Sequence, residues 1–217
     1  MSDNSNSGHG ATVNEAEITL GVLNAVEQNS TVTQRSVAGD LDIALGLANA
    51  YLKRCAKKGF IKIQQVPRNR YAYYLTPKGF AEKSRLTGEY LSISFNFFRA
   101  ARSQCTDLFE QCALAGHHRI ALAGVGDLAE IATLCARDHD VEIVGIIETN
   151  DFEGSQFAGL TVFRTVEDLG AVDRIVITDM KEPQKAFDTL LQSVTVDRLM
   201  FPKFLHISRV RPQLMED

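Results

Sequence analysis

The stretch LDIALGLANAYLKRCAKKGFIKIQQVPRNRYAYY, residues 41–74, decides the fold of the N-terminal part of the chain. Its first half carries apolar side chains at spacings of three and four, which predicts a helix with one buried stripe. The stripe consists of Ile43, Leu45, Ala48, Leu52 and Cys55. Gly59 is expected to end this helix. The segments FIKIQ and YAYYLT then predict two short strands, joined by the basic turn VPRNR.

Helix, strand, basic turn and strand follow one another in the order of a winged helix-turn-helix, which indicates a DNA-binding domain. Upstream, Asn14 is predicted to cap a first helix, and Thr31 or Thr33 a second helix, TQRSVAGDL. Burial of the stripe leaves Gly46 and Lys57 facing outward, beside the residues expected to contact DNA. These are Gln34, Arg35, Leu47, Asn49, Ala50, Lys53, Arg68 and Arg70.

The candidate contact residues have different expected partners. Asn49 is suited to pair bidentately with an adenine in the major groove. Gln34 and Arg35 open the second helix and are placed to meet phosphate, while Arg68 and Arg70 lie at the tip of the wing. The alternative is that the basic residues form only a solvated helix face, since winged helices also serve as protein-binding modules.

The segment from Glu17 to Leu86 resembles the MarR-like winged helix regulators of bacteria. The resemblance is carried by TQRSVAGDL, LANAYLKRCAKKGFIKI and RYAYYLTPKGFAEKSR. It implies a transcriptional regulator that binds a double-stranded DNA operator.

A long helical pattern follows the wing. Pro77 is predicted to open a helix, and Gly88 to break or bend it. In the run EYLSISFNFFRAARSQCTDLFEQCALAG, apolar residues alternate in steps of four and three around Arg102, which is typical of a helix-pairing seam. The seam predicts a homodimer held by Leu91, Phe95, Phe98, Cys105 and Phe109, and it continues to Cys112.

The C-terminal part shows strands alternating with helices, which predicts an α/β class overall with a small parallel, Rossmann-like sheet. The strands are expected in RIALAGVG, which runs into a glycine turn, and in VEIVGIIE, LTVF, RIVIT and DRLMF. The predicted organisation is a disordered tail over 1–13, a winged helix domain over 14–87, a linking and dimerisation helix over 88–116, and a ligand-sensing domain over 117–217.

A glycine turn follows the first of these strands. Gly124-Val-Gly126-Asp-Leu-Ala129 fits GxGxxA between a strand and a helix, where glycines allow a phosphate to approach the backbone. Glu148 ends the second strand, where an acid can accept bonds from ribose hydroxyls. The predicted ligand-binding residues are Gly124, Gly126, Asp127, Leu128, Glu148, Thr178 and Asp179.

This half resembles the sugar-nucleotide-binding domain of bacterial acetyltransferases and, more distantly, the NAD(H)-binding half of the Rex redox repressors. The features shared with the acetyltransferases are the GxG turn, AEIA, the VGIIE strand and the GLTVF segment, whereas the Rex repressors also join a winged helix to a Rossmann domain. The resemblance implies a nucleotide-type effector. Asp127 would repel a pyrophosphate at the turn, so the ligand's negative charge is expected to be low or to lie off the helix end, which places a nucleotide sugar slightly ahead of NAD(H). The alternative is a domain that binds nothing and only dimerises.

Composition bears on the cellular location of the protein and on the classes of function that remain. The chain has 217 residues, a net charge of −4 and four scattered cysteines without a CxxC motif, which indicates a cytoplasmic protein without disulfides. No membrane association, metal site or enzyme activity is expected, because neither a long apolar run nor a catalytic cluster accompanies the glycine turn. The prediction is a dimeric regulator sensing a nucleotide-type metabolite; the alternative is an interaction protein.

Overall fold

We describe the protein from a computed structural model. It covers residues 8–67, 70–148, 150 and 152–209, without the side chains of residues 8–14 and of Arg70. The chain divides into two compact units, residues 1–95 and 96–217. The elements of the first unit are α1 (Gly8–Gln28), α2 (Gln34–Asp40), α3 (Leu45–Lys57), β1 (Ile61–Val66), β2 (Arg70–Leu75) and the beginning of α4 (Pro77–Leu114).

The first unit is a three-helix core with a two-stranded antiparallel wing, as the sequence predicts. Thr33 caps α2 through a reciprocal pair of bonds: its hydroxyl accepts from the Ser36 N–H, and the Ser36 hydroxyl oxygen accepts from the Thr33 N–H. Gly59 ends α3 in the left-handed region, at φ 75°. Helix α4 then starts so close to the wing that a Cβ on Gly79 would lie 1.9 Å from the Phe60 carbonyl oxygen.

The buried stripe of α3 is mostly confirmed. Ala48, Leu52 and Cys55 are buried with Val22, Leu23 and Val37 of the preceding helices. Leu45 is an exception, because it is 48% exposed. It is the first residue of α3, and its side chain lies beyond the reach of the core.

Two predicted boundaries are wrong. Helix α1 begins at Gly8, so residues 8–13 of the predicted tail are helical and Asn14 lies within the helix; residues 1–7 fall outside the described part of the chain. Gly88 does not interrupt α4, which runs unbroken over 38 residues. The predicted linking helix over 88–116 is therefore the later part of one helix that begins at Pro77.

The second unit is an α/β sheet. Its elements are β3 (Arg119–Ala123), α5 (Asp127–Ala136), β4 (Glu142–Ile147), β5 (Gln156–Phe157), β6 (Leu160–Phe163), β7 (Arg174–Ile177), α6 (Pro183–Leu190) and β8 (Leu199–Met200). The strand order is β5-β6-β4-β3-β7-β8, and only the β5–β6 pair is antiparallel. Short 3₁₀ turns lie at Glu167–Leu169, Val196–Arg198 and Lys203–Leu205.

The central strand β3 distributes its side chains to two cores. Ile120 and Leu122 face α5, while Ala121 and Ala123 belong to the core that contains Phe187 of α6. Because both faces are covered, the buried strands are apolar at nearly every position.

The C-terminal part of α4 belongs to the core beside α5. Cys105, Phe109 and Cys112 are fully or almost fully buried there. Cys105 and Phe109 are therefore inaccessible to a second chain, which corrects this part of the predicted dimer seam. Leu91, Phe95 and Phe98 remain 40–55% exposed and are the only members of the predicted dimer set that stay available.

All four cysteines are free and buried. Burial raises the pKa of the Cys105 thiol to about 12 and that of Cys55 to about 11. The thiolate is the reactive form of cysteine, so these side chains act as apolar packing groups at neutral pH.

Candidate functional site

The outward face of α3 is the first candidate site. Successive residues of a helix are about 100° apart, which places Gly46, Ala50, Lys53 and Lys57 opposite the buried Ala48. All four are exposed, and Leu47 beside them is 40% exposed. The predicted outward face is thus confirmed for these residues. Its N-terminal part is apolar, and its C-terminal part carries the lysines.

Asn49 lies on the flank of α3 and is only half-exposed. Its Oδ1 atom is buried and has no hydrogen-bond partner in the described part of the chain. An adenine contact needs both the donor and the acceptor of the amide at the surface. In this rotamer Asn49 does not present its acceptor, so the predicted base contact would require its side chain to turn outward.

The other basic residues near α3 differ in their availability. Arg54 forms an ion pair of 3.1 Å with Glu15 of α1, and this pairing raises its pKa. Gln34 and Arg35 open α2 and are exposed, as expected of phosphate contacts. Arg68 lies outside the described residues, and for Arg70 only the backbone at the start of β2 is described.

A groove lies beside the C-terminal end of α3. It has a volume of about 300 Å³ and is bounded by α1, the end of α3 and α4. Leu20, Leu86 and Ile93 supply apolar lining, and the ion pairs Arg54–Glu15 and Arg85–Glu89 supply charged lining.

The glycine turn between β3 and α5 is the second candidate site. Gly124 and Gly126 adopt φ values of 105° and 144°, which only glycine accepts readily. A Cβ on Gly124 would lie 2.5 Å from the Asp179 Cα atom. The close packing of β3 against the end of β7 therefore explains why residue 124 is a glycine, whether or not a ligand binds there.

The predicted polar ligands do come together at this edge of the sheet, but they bond to the protein itself. The buried Glu148 carboxylate accepts hydrogen bonds from the Val125 N–H at 3.0 Å and from the Asn150 N–H at 2.8 Å. Thr178 donates its hydroxyl proton to the Gly124 carbonyl at 2.6 Å. Asp179 accepts from two backbone N–H groups at the approach to α6.

Little space is left at the glycine turn. The cavity lined by Gly124, Glu148 and Asp179 has a volume of about 10 Å³, room for roughly one water molecule. Sites for small molecules typically measure about 300–1,000 Å³. A nucleotide would therefore need the segment after β4 to move away from the turn.

Negative charge at the start of α5 also limits where a ligand could place its phosphate groups. The positive end of this helix is already faced by Asp127 and Glu130 in its first turn. Asp127 is exposed, whereas the Leu128 side chain is part of the core and cannot contact a ligand. These carboxylates would repel a phosphate seated on the helix end.

The described residues contain no cluster of histidine, cysteine, aspartate and glutamate that could hold a metal ion. Within the same residues, no helix is long and apolar enough to cross a membrane.

A family model of known proteins matches part of the first unit. Residues 15–62 match the family model described as "Winged helix-turn-helix DNA-binding". These residues form a winged helix-turn-helix domain. The match ends at β1 and leaves the second unit without a family assignment, and no curated protein matches the chain.

One solved structure similar to the chain is a mutant of the S. aureus protein MepR bound to an oligodeoxyribonucleotide. The sequences are 23% identical, and the match covers 39% of this chain and 62% of that chain, with a TM-score of 0.32. A likeness of this size does not establish a shared overall structure.

Proposed function

We propose that this protein is a dimeric transcriptional regulator whose winged helix-turn-helix domain binds double-stranded DNA. The observation that carries the proposal is the exposed face of α3, where Lys53 and Lys57 project from the side opposite the core. A helix in the major groove needs such cations beside the phosphate backbone. Arg35, exposed at the start of α2, extends the basic surface.

The double variant Lys53→Ala, Lys57→Ala should bind all duplexes more weakly. Each lost phosphate contact should flatten the slope of log affinity against log salt by about 0.9. Fluorescence anisotropy over a range of salt concentrations gives this slope. Lys181→Ala removes an exposed lysine from the second unit and serves as the charge control. An unchanged slope in the double variant would contradict the assignment of α3.

The exposed middle of α4 supports the dimer. Leu91, Phe95 and Phe98 recur on one side of the helix, and all three are 40–55% exposed. Apolar side chains contiguous on a helix mark an interaction surface.

Phe95→Glu should convert the dimer to a monomer, because it places an unpaired charge in an apolar contact. Light scattering measures the mass of each form. Asn96→Asp adds a charge about 100° around the helix and should leave the mass unchanged. If the wild-type protein is itself a monomer, the proposed dimer is wrong.

We further propose that the second unit senses a nucleotide-type effector, with a nucleotide sugar favoured over NAD(H). The support is the position of Glu148 beside the glycine turn. A sugar hydroxyl of the effector could donate to this carboxylate in place of the Val125 N–H. Asp127 and Glu130 favour a ligand whose phosphates lie away from the start of α5.

A thermal-shift screen of nucleotides, nucleotide sugars and NAD(H) tests the effector. A ligand at one hundred times its Kd should stabilise the folded protein by about 2.7 kcal/mol. Glu148→Gln should lose most of this response. Asp127→Asn should keep or increase the response, because it removes a charge that repels phosphate.

The two variants separate the possible outcomes. A response that Glu148→Gln retains would place the effector elsewhere; the groove beside α3, at about 300 Å³, is one cavity larger than that at the glycine turn. If no compound stabilises the wild type, the nucleotide effector is wrong while the DNA-binding proposal stands.

A further inference from the structure

Among residues 45–50 of α3, only Asn49 has a side chain that can form a hydrogen bond with a base edge. Leu45 and Leu47 are 48% and 40% exposed, and Gly46 and Ala50 are exposed beside them. None of these four side chains can donate or accept a hydrogen bond. Leu45 and Leu47 are about 200° apart around the helix, so they present aliphatic groups on two different sides of its first turn.

The two leucines contribute little to the fold. Neither belongs to the core formed by α1, α2 and α3, nor to the partly buried side chains packed against that core. Leaving two large aliphatic side chains in water forgoes the stabilisation that burial would give. Their exposure leaves both side chains available for contact with a partner.

The start of α3 differs from the start of α2 in a second way. Thr33 and Ser36 cap α2 with side-chain hydrogen bonds, whereas Ala44 precedes α3 and forms no such bond. The first N–H groups of α3 are thus left without a capping side chain. Phosphate oxygens are suitable acceptors for such groups.

The basic residues of α3 lie away from its first turn, whereas Asp40 and Asp42 are exposed just before it. Lys53 and Lys57 lie two or more turns further along α3, and Asn49 turns its Oδ1 inward. A base edge opposite either Leu45 or Leu47 would therefore meet the methyl and methylene groups of that side chain. In the major groove, the apolar group that a standard base presents is the C5-methyl of thymine.

We propose that Leu45 and Leu47 read DNA sequence by packing against thymine methyl groups. The operator then carries thymines at the positions that face the start of α3, and the lysines of α3 supply affinity that does not depend on sequence. This inference rests on the proposed DNA-binding function and adds the base that the recognition helix selects.

The experiment begins with selection of duplexes that bind the full-length protein from a random library. Each thymine of the enriched duplex is then replaced singly by uracil, which removes one methyl group and preserves base pairing. At a contacted thymine, binding should weaken about threefold to fivefold, as expected for one buried methyl group. Thymines outside the site should show no effect and provide the internal control.

Protein variants identify the side chains that contact the methyl groups. Leu47→Ala should bind the thymine and uracil forms equally at one position of the site, and Leu45→Ala should do so at another. Lys53→Ala should weaken binding to both forms by the same factor. Because both leucines are exposed, circular dichroism should show unchanged melting of the two leucine variants.

The possible results are distinguishable. A duplex that binds the wild type with no sensitivity to uracil at any position would overturn thymine readout and leave the DNA-binding function intact. Failure to enrich any duplex would overturn both thymine readout and the proposed DNA-binding function.

Discussion

Burial of Ala48, Leu52 and Cys55 against α1 and α2 is the constraint on which the account of the first unit depends. It fixes the rotation of α3 about its own axis, and with it the side chains that any partner meets. The same rotation places Lys53 and Lys57 outward and pairs Arg54 with Glu15. If a different stripe of α3 were buried, the helix would be rotated about its axis, and the directions of its lysines and exposed leucines would all change.

Helix α4 illustrates how one apolar repeat can serve two purposes. Its C-terminal residues Cys105 and Phe109 complete the core of the second unit, while Leu91, Phe95 and Phe98 stay exposed. The apolar repeat is continuous along the helix, so the sequence predicts an apolar stripe but not which part of the protein packs against each section of it. The structure shows that α5 packs against the C-terminal section of this stripe.

Elements that depend on local sequence could be predicted, whereas contacts between residues distant in the sequence could not. Helix α3, the wing and the Rossmann-like alternation were predictable because they depend on local periodicity and on turn residues such as Gly59. The burial of the Asn49 oxygen and the bond between Glu148 and Val125 were not predictable, because they depend on which side chains meet in three dimensions. The glycine motif illustrates the same limit: Gly124 is required by its contact with Asp179, whether or not a ligand binds.

The central claim is that α3 is the surface that meets DNA. Hydrogen–deuterium exchange of the full-length protein, with and without a bound duplex, tests it directly. The account predicts slower exchange of backbone amides in α2, α3 and the wing when DNA is added. Protection confined to the second unit, or no protection at all at saturating duplex, would contradict it.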